Sequence, residues 1–178
     1  MLADYTRDSQ STPNSSTKGF SLTEVLVILA LLSLLITLTL PNLSGLKERE
    51  NHQYIASQLE KIIKLGREHA LYQQATVTLC PTTNQILCHS NWQQPLMLFL
   101  DKNQDNQRNI NETLIATLNP TPLNLTWNRG NHLSFYGENG LAASNGTLTL
   151  CSAKLNQQFI LNRQGRLRKT DQPCTLMR

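Results

Sequence analysis

From Val25 to Leu40 the chain reads VLVILALLSLLITLTL, sixteen residues without a charge. Counted from Phe20 the run is 21 residues long, and a helix of that length, at about 1.5 Å per residue, spans roughly 30 Å, the depth of a bilayer's hydrocarbon core. A cleaved secretory signal has a shorter apolar stretch, about 7–15 residues, ending in a small-x-small site. Leu40-Pro41-Asn42 provides no such site, so the segment is expected to stay in a membrane. Everything after Pro41 has soluble composition, rich in Asn, Gln and Thr, and with 39% hydrophobic residues over all 178 its core must be small. Residues 1–18 form a polar leader (DSQSTPNSST) with no apolar periodicity and no means of burying a core.

The net charge of +4 is unevenly placed: Phe20 to Asn128 carries seven Lys/Arg against eight Asp/Glu, and Arg129 to Arg178 carries seven against two. A basic C-terminal end suits an anionic partner such as nucleic acid or a lipid surface. Four cysteines, Cys80, Cys88, Cys151 and Cys174, lie in the part that would be exported, and an even count there suggests disulfides. Three pairings are possible. Cys80–Cys88 and Cys151–Cys174 are favoured because each closes a local loop around a turn-rich stretch. Zinc finds no support, since no CxxC pair and no His at ligand spacing is present.

After Gly45 the pattern becomes amphipathic: Ile55, Leu59, Ile62, Gly66 and Ala70 recur at spacings of three and four, with charges largely elsewhere. One long helix is expected from about Phe20 to about Gln73, membrane-embedded first and half-buried second. Short β-forming stretches follow at Ala75–Cys80, Leu96–Leu100, Leu114–Leu118, Leu123–Trp127, His132–Tyr136, Thr147–Cys151 and Gln158–Leu161. Asn139-Gly140, Asn145-Gly146 and Gln164-Gly165 supply turns. No helical pattern intervenes, so the expectation is an α+β fold whose antiparallel sheet packs on the second half of the helix.

The junction reads Lys18-Gly19-Phe20-Ser21-Leu22-Thr23-Glu24 and runs straight into the apolar segment, with Pro41 at its end. This closely resembles the type IV prepilin motif. The resemblance implies cleavage between Gly19 and Phe20 by a membrane-embedded prepilin peptidase and methylation of the new N-terminal Phe20. The residues suit those roles. Gly19 leaves the chain unobstructed and disfavours helix where it must be cut, and Lys18 holds the leader on the cytoplasmic side. Glu24 is the costly residue, because a carboxylate in hydrocarbon costs about 2.5–3.5 kcal/mol and normally has a partner. The resemblance implies that the partner is the Phe20 amine of a neighbouring subunit, setting register during assembly; otherwise Glu24 snorkels to the interface.

The remainder is similar to the FimT/GspH type of minor pilin and pseudopilin. The residues are Val77-Thr78-Leu79-Cys80-Pro81, Trp92, Phe99-Leu100-Asp101-Lys102-Asn103 with Glu112, Leu148-Thr149-Leu150-Cys151 and Gly165-Arg166-Leu167-Arg168. The whole is then a type IV pilin-like α+β fold, a long N-terminal helix packed on a C-terminal antiparallel β-rich head. Its parts are a leader (1–19), a transmembrane and assembly half-helix (20–41), an amphipathic half-helix (42–75) and the head (76–178). Some FimT-like members bind DNA during natural transformation through a C-terminal Gly-Arg-x-Arg motif, and GspH-like members belong to type II secretion pseudopili.

Asn162–Lys169 (NRQGRLRK) reads as a hairpin turning at Gln164-Gly165. Alternation puts Arg166 and Arg168 on one face, about 7 Å apart, a repeat suited to phosphates. With Arg163 and Lys169 as auxiliaries, they are the expected DNA-binding residues. Nothing there reads bases, so binding would be sequence-tolerant and salt-sensitive; the bland reading is a solvated basic edge strand. Asp101, Asn103, Asp105 and Glu112 reproduce the spacing of an EF-hand calcium loop, with Asn106 where glycine is usual. Asn tolerates a left-handed backbone, but Asp/Asn-rich turns are common for their own hydrogen bonds. The expectation is therefore no metal, with those four residues as the set a calcium ion would use, and no cofactor. His52, His69, His89 and His132 are scattered and no nucleophile–base signature exists, so no enzyme is expected.

The expected protein is an inner-membrane minor pilin with a periplasmic head, joining other pilins in a filament and binding DNA for uptake. The alternative is a structural or initiating GspH-like pseudopilin of a type II secretion system that binds no DNA.

Overall fold

The computed structural model describes residues 19–39, 43–152 and 155–171. They fall into two compact units, one ending at Leu43 and one beginning at Ser44.

The first unit holds helix α1, Leu22–Thr39. Ser21 starts it, its carbonyl accepting from the amides of Glu24 and Val25 at 3.1 and 3.2 Å, and Glu24 stands in the first turn where the helix dipole favours a carboxylate. The polar residues inside the apolar run satisfy themselves: the hydroxyls of Ser33 and Thr37 donate to the carbonyls of Ala30 and Leu34, both at 2.8 Å. A hydroxyl bonded to its own helix can enter hydrocarbon at reduced cost. Large apolar side chains from Val25 to Ile36 are 43% to 59% exposed. With every face apolar, the helix has no polar side to turn to water.

Among the described residues no helix is long and apolar enough to cross a membrane. The 18 residues of α1 give about 27 Å, short of the roughly 30 Å of a bilayer core. Leu40, Pro41 and Asn42 lie outside the described residues, as do the leader through Lys18, residues 153–154 and Cys174. The single helix expected from Phe20 to Gln73 is described as two, α1 and α2.

In the second unit α2, Leu43–Gln73, buries Ile55, Ala56, Leu59, Ile62, Ile63 and Ala70, the anticipated stripe with two additions. Gly66 sits in that stripe where the sheet comes close: a Cβ there would lie 3.0 Å from Leu98 Cδ1 and 3.4 Å from Phe135 Cδ2, and those side chains would have to give by a few tenths of an ångström. Gln74, at φ 51°, ends the helix in the left-handed conformation usual after a C-cap.

Eight strands follow: β1 Val77–Pro81, β2 Leu96–Leu100, β3 Leu114–Leu118, β4 Asn124–Trp127, β5 Leu133–Phe135, β6 Gly146–Cys151, β7 Asn156–Leu161 and β8 Leu167–Thr170. Instead of one sheet there are two four-stranded antiparallel sheets, ordered β3-β2-β1-β5 and β4-β6-β7-β8. The break falls after β3, where Pro120 and Pro122 lack the amide donors that a continuing ladder needs. A single apolar cluster joins α2 to both sheets, and Trp92 and Trp127 meet within it with ring centroids 6.2 Å apart. β2 is buried on both faces: Leu96, Leu98 and Leu100 enter the main cluster, while Met97 and Phe99 join Cys80 in a second one. Two loops border that second cluster. One is closed by the expected Cys80–Cys88 disulfide, Cα atoms 5.4 Å apart; the other runs from Asp101 to Thr113. Among the described residues no cysteine is free.

Candidate functional site

Among the described residues β8 is an edge strand, paired with β7 alone, in the register Phe159↔Lys169, Ile160↔Arg168 and Leu161↔Leu167. Phe159 and Leu161 are buried and Ile160 is exposed, so Leu167 and Lys169 share the inner face and Arg168 projects outward. Between the strands Gly165, at φ +74°, donates to the Asn162 carbonyl at 3.0 Å, and Asn162 Oδ1 accepts the Arg166 amide at 2.8 Å. This turn leaves Arg163 and Arg166 exposed. Among the described residues, no carboxylate forms an ion pair with Arg163, Arg166 or Arg168.

Lys169 is placed differently from its expected companions. Its Nζ forms an ion pair with Glu60 on α2 and lies 5.8 Å from the centre of the Phe159 ring. Glu60 also takes a bond from Lys64 at 2.7 Å. Hydrogen bonds from Lys169, then Lys64, hold the Glu60 carboxyl below its ordinary value. Lys169 thus clamps the edge strand to the helix while the arginines face solvent. Sequence reasoning missed Arg67, whose Nε donates to the Gly140 carbonyl at 3.1 Å directly beneath Gly165. Nothing in the local pattern signals it, because its neighbours lie 73 and 98 positions away in sequence.

At the leader junction Gly19 is exposed, with no described residue within 4 Å of where a Cβ would stand, and Phe20 is 78% exposed. Gly19, Phe20 and Ser21 lie outside any regular element. Glu24 is one turn further on and exposed.

The Asp101–Glu112 loop folds back on itself. Ligand-capable oxygens of Asp101, Asp105 and Glu112 all come within 4.8 Å of one another. Asp101 is 1% exposed; its Oδ2 accepts from Thr78 Oγ1 at 2.9 Å and from the Asn106 amide at 3.2 Å, while its Oδ1 is buried without a hydrogen bond. Burial, only partly offset by those bonds, raises the Asp101 carboxyl above its ordinary value. Asn106 has φ +58°, the left-handed turn anticipated at the sixth position.

The histidines do not converge. His52 is buried with Nε2 3.5 Å from the Leu150 carbonyl, His89 lies 3.2 Å from Thr83 Oγ1, and His132 lies 2.8 Å from Asn131 Oδ1.

A helical start followed by two antiparallel sheets is the type IV pilin fold, and known structures bear this out. Two crystal forms of the type IV minor pilin FimU of Pseudomonas aeruginosa superpose on the chain. One gives a TM-score of 0.52 at 14% identity, covering 66% of this chain and 91% of FimU; the other gives 0.50 at 16%, covering 72% and 92%. The prokaryotic N-terminal methylation motif matches residues 14–40, and the type II transport protein GspH family matches residues 56–165, well over half of the 178. No curated protein matches the sequence. The chain belongs to the GspH family of type IV prepilin-like minor pilins. This is a family of structural subunits, and membership implies assembly with other pilins and processing by a prepilin peptidase.

Proposed function

We propose that this minor pilin is cut between Gly19 and Phe20, methylated at Phe20 and built into a pilus, where its β7–β8 hairpin binds DNA without sequence preference for uptake in natural transformation. Before assembly, the apolar run from Phe20 to Leu40 holds it in the inner membrane with the head in the periplasm, and Glu24 pairs with the Phe20 amine of the next subunit. The observation that carries the DNA reading is the pair of exposed guanidiniums of Arg166 and Arg168, joined by Arg163, which among the described residues form no ion pair and stand at the edge of a sheet. Guanidiniums free of carboxylate partners keep their fork of donors available for phosphates. Lys169, engaged with Glu60 and Phe159, supports the strand from behind.

The GspH match ends at Gly165, just before Arg166 and Arg168, and favours a second reading: a type II secretion pseudopilin whose hairpin meets a protein neighbour. Fluorescence anisotropy of the full-length protein in detergent against a labelled 30-base-pair duplex separates the two. Two or three phosphate contacts predict that affinity falls about 10–40-fold between 50 and 200 mM salt, and that a folded Arg166→Ala/Arg168→Ala variant loses the binding. Absence of binding at 50 mM salt, or equal binding by the variant, rejects DNA and leaves the pseudopilin reading.

A further inference from the structure

We propose that the loop from Asp101 to Glu112 is a calcium site, with Asp101 Oδ1, Asp105 and Glu112 as ligands and the Asn103 side chain and Gln107 carbonyl completing the shell. Four observations converge on it. The first is the pattern: oxygen-bearing side chains stand at positions one, three, five and twelve of a twelve-residue loop, the arrangement in which a chain wraps one calcium ion. The second is the fold of that loop, which brings three carboxylates to within 4.8 Å of one another with a left-handed residue, Asn106, at the sixth place.

The third is the orphaned oxygen. A carboxylate oxygen buried without a hydrogen bond is costly, and Asp101 Oδ1 is such an atom, in a side chain only 1% exposed. No Lys or Arg among the described residues forms an ion pair with Asp101, Asp105 or Glu112. Arg108 is close by, but its Nε and Nη1 donate to the carbonyls of Glu112 and Gln85, both at 3.2 Å. Glu112 accepts from the amides of Lys102 and Asn109, at 2.9 Å each, on separate oxygens, and Asp105 Oδ1 accepts one bond, from the Gln107 amide at 2.8 Å, so these three oxygens each keep a second lone pair for a cation, while Asp101 Oδ2 and Asp105 Oδ2 each accept two bonds.

The fourth is size. Oxygens on opposite sides of a calcium ion sit up to about 5 Å apart, whereas magnesium at about 2.1 Å closes the shell to about 4.2 Å. Ligand atoms all within 4.8 Å of one another fit inside the span of the larger ion. The loop is also held in advance of binding: the Arg108 amide donates to the Ile86 carbonyl at 2.8 Å and Gln107 bridges to Leu87, inside the Cys80–Cys88 loop. That disulfide marks an oxidising compartment, and extracellular calcium modules work at about 0.1–1 mM.

The test uses full-length protein in detergent, stripped with EDTA and titrated with CaCl2 or MgCl2 at pH 7, with Tm and calorimetric heat as readouts. At 10 mM calcium, a Kd of about 0.1–1 mM predicts a rise in Tm of about 3–10 °C, a single saturating site, and a smaller response to magnesium. Asp105 is exposed, so Asp105→Asn keeps the fold while weakening calcium binding about tenfold or more; Glu112→Gln does the same where it folds. No heat and no Tm shift up to 10 mM calcium overturns the proposal and leaves a loop closed by its own hydrogen bonds. An equal calcium shift in Asp105→Asn overturns it too.

Discussion

Gly165 does two things at the tip of the hairpin, and only one of them is visible in its own backbone. Its φ of +74° is a conformation that costs an L side chain about 1 kcal/mol. In addition, a Cβ there would come 2.7 Å from both Cδ and Nε of Arg67, so the arginine would have to move and release the Gly140 carbonyl. Gly165→Ala is therefore expected to destabilise the head by about 2 kcal/mol in urea unfolding, the φ cost plus roughly one hydrogen bond. Combining it with Arg67→Ala leaves the φ cost alone; a double mutant as unstable as the sum of the singles would show that the two residues do not collide. This contact explains why the site was only partly legible in the sequence. Arg163, Arg166 and Arg168 could be read from local charge and alternation. Arg67 could not, and neither could the orphaned oxygen of Asp101, which depends on what β1 and the buried side of the loop place around it.

Edge strands are the weak members of a sheet, and β8 is fixed by more than its ladder to β7. The Lys169–Glu60 pair and the Phe159 ring beneath Lys169 tie it to α2. The acid in that pair is held below its ordinary value of 4.5 by Lys169 and Lys64. A depressed folded-state carboxyl contributes stability that is fully present above the unfolded value and disappears as pH falls through the folded one. The difference in stability between the wild type and Glu60→Gln should thus be constant above about pH 5 and shrink below about pH 4.5. Both lysines are well exposed, so screening limits it to about 1 kcal/mol. Hydrogen exchange should locate the change: amides of Leu167–Thr170 exchange faster in the variant at pH 6, while those of β2 do not. Unchanged β8 protection would mean that the ladder alone holds the strand. At this scale the sequence was more informative. Seven strands stood close to where β-forming residues cluster, and the α2 stripe appeared with Ala56 and Ile63 added. The division into two sheets was not readable, because the prolines after β3 say that a ladder stops without saying which strand receives β4 next.

As a whole the chain carries two solutions to burying apolar surface, written one after the other. The head buries its own: every residue of its apolar cluster comes from Ile55 onward, and both sheets pack on α2. The large apolar side chains of α1 from Val25 to Ile36 are 43% to 59% exposed, and on the proposed function their surroundings are supplied by lipid or by other subunits. On that reading the subunit passes from one to the other, and a head whose stability drew on α1 would be disturbed by each transfer. The arrangement of the core predicts that it is not. A chain beginning at Ser44 is expected to stay in solution without detergent and to unfold within about 3 °C of the full-length protein in micelles, a difference of about 1 kcal/mol or less for a domain of this size. Differential scanning calorimetry on the two proteins, at equal calcium, makes the comparison. A markedly lower Tm for the shorter chain would mean that residues before Ser44 help to hold the head together, and that release from the membrane and folding of the head are coupled events.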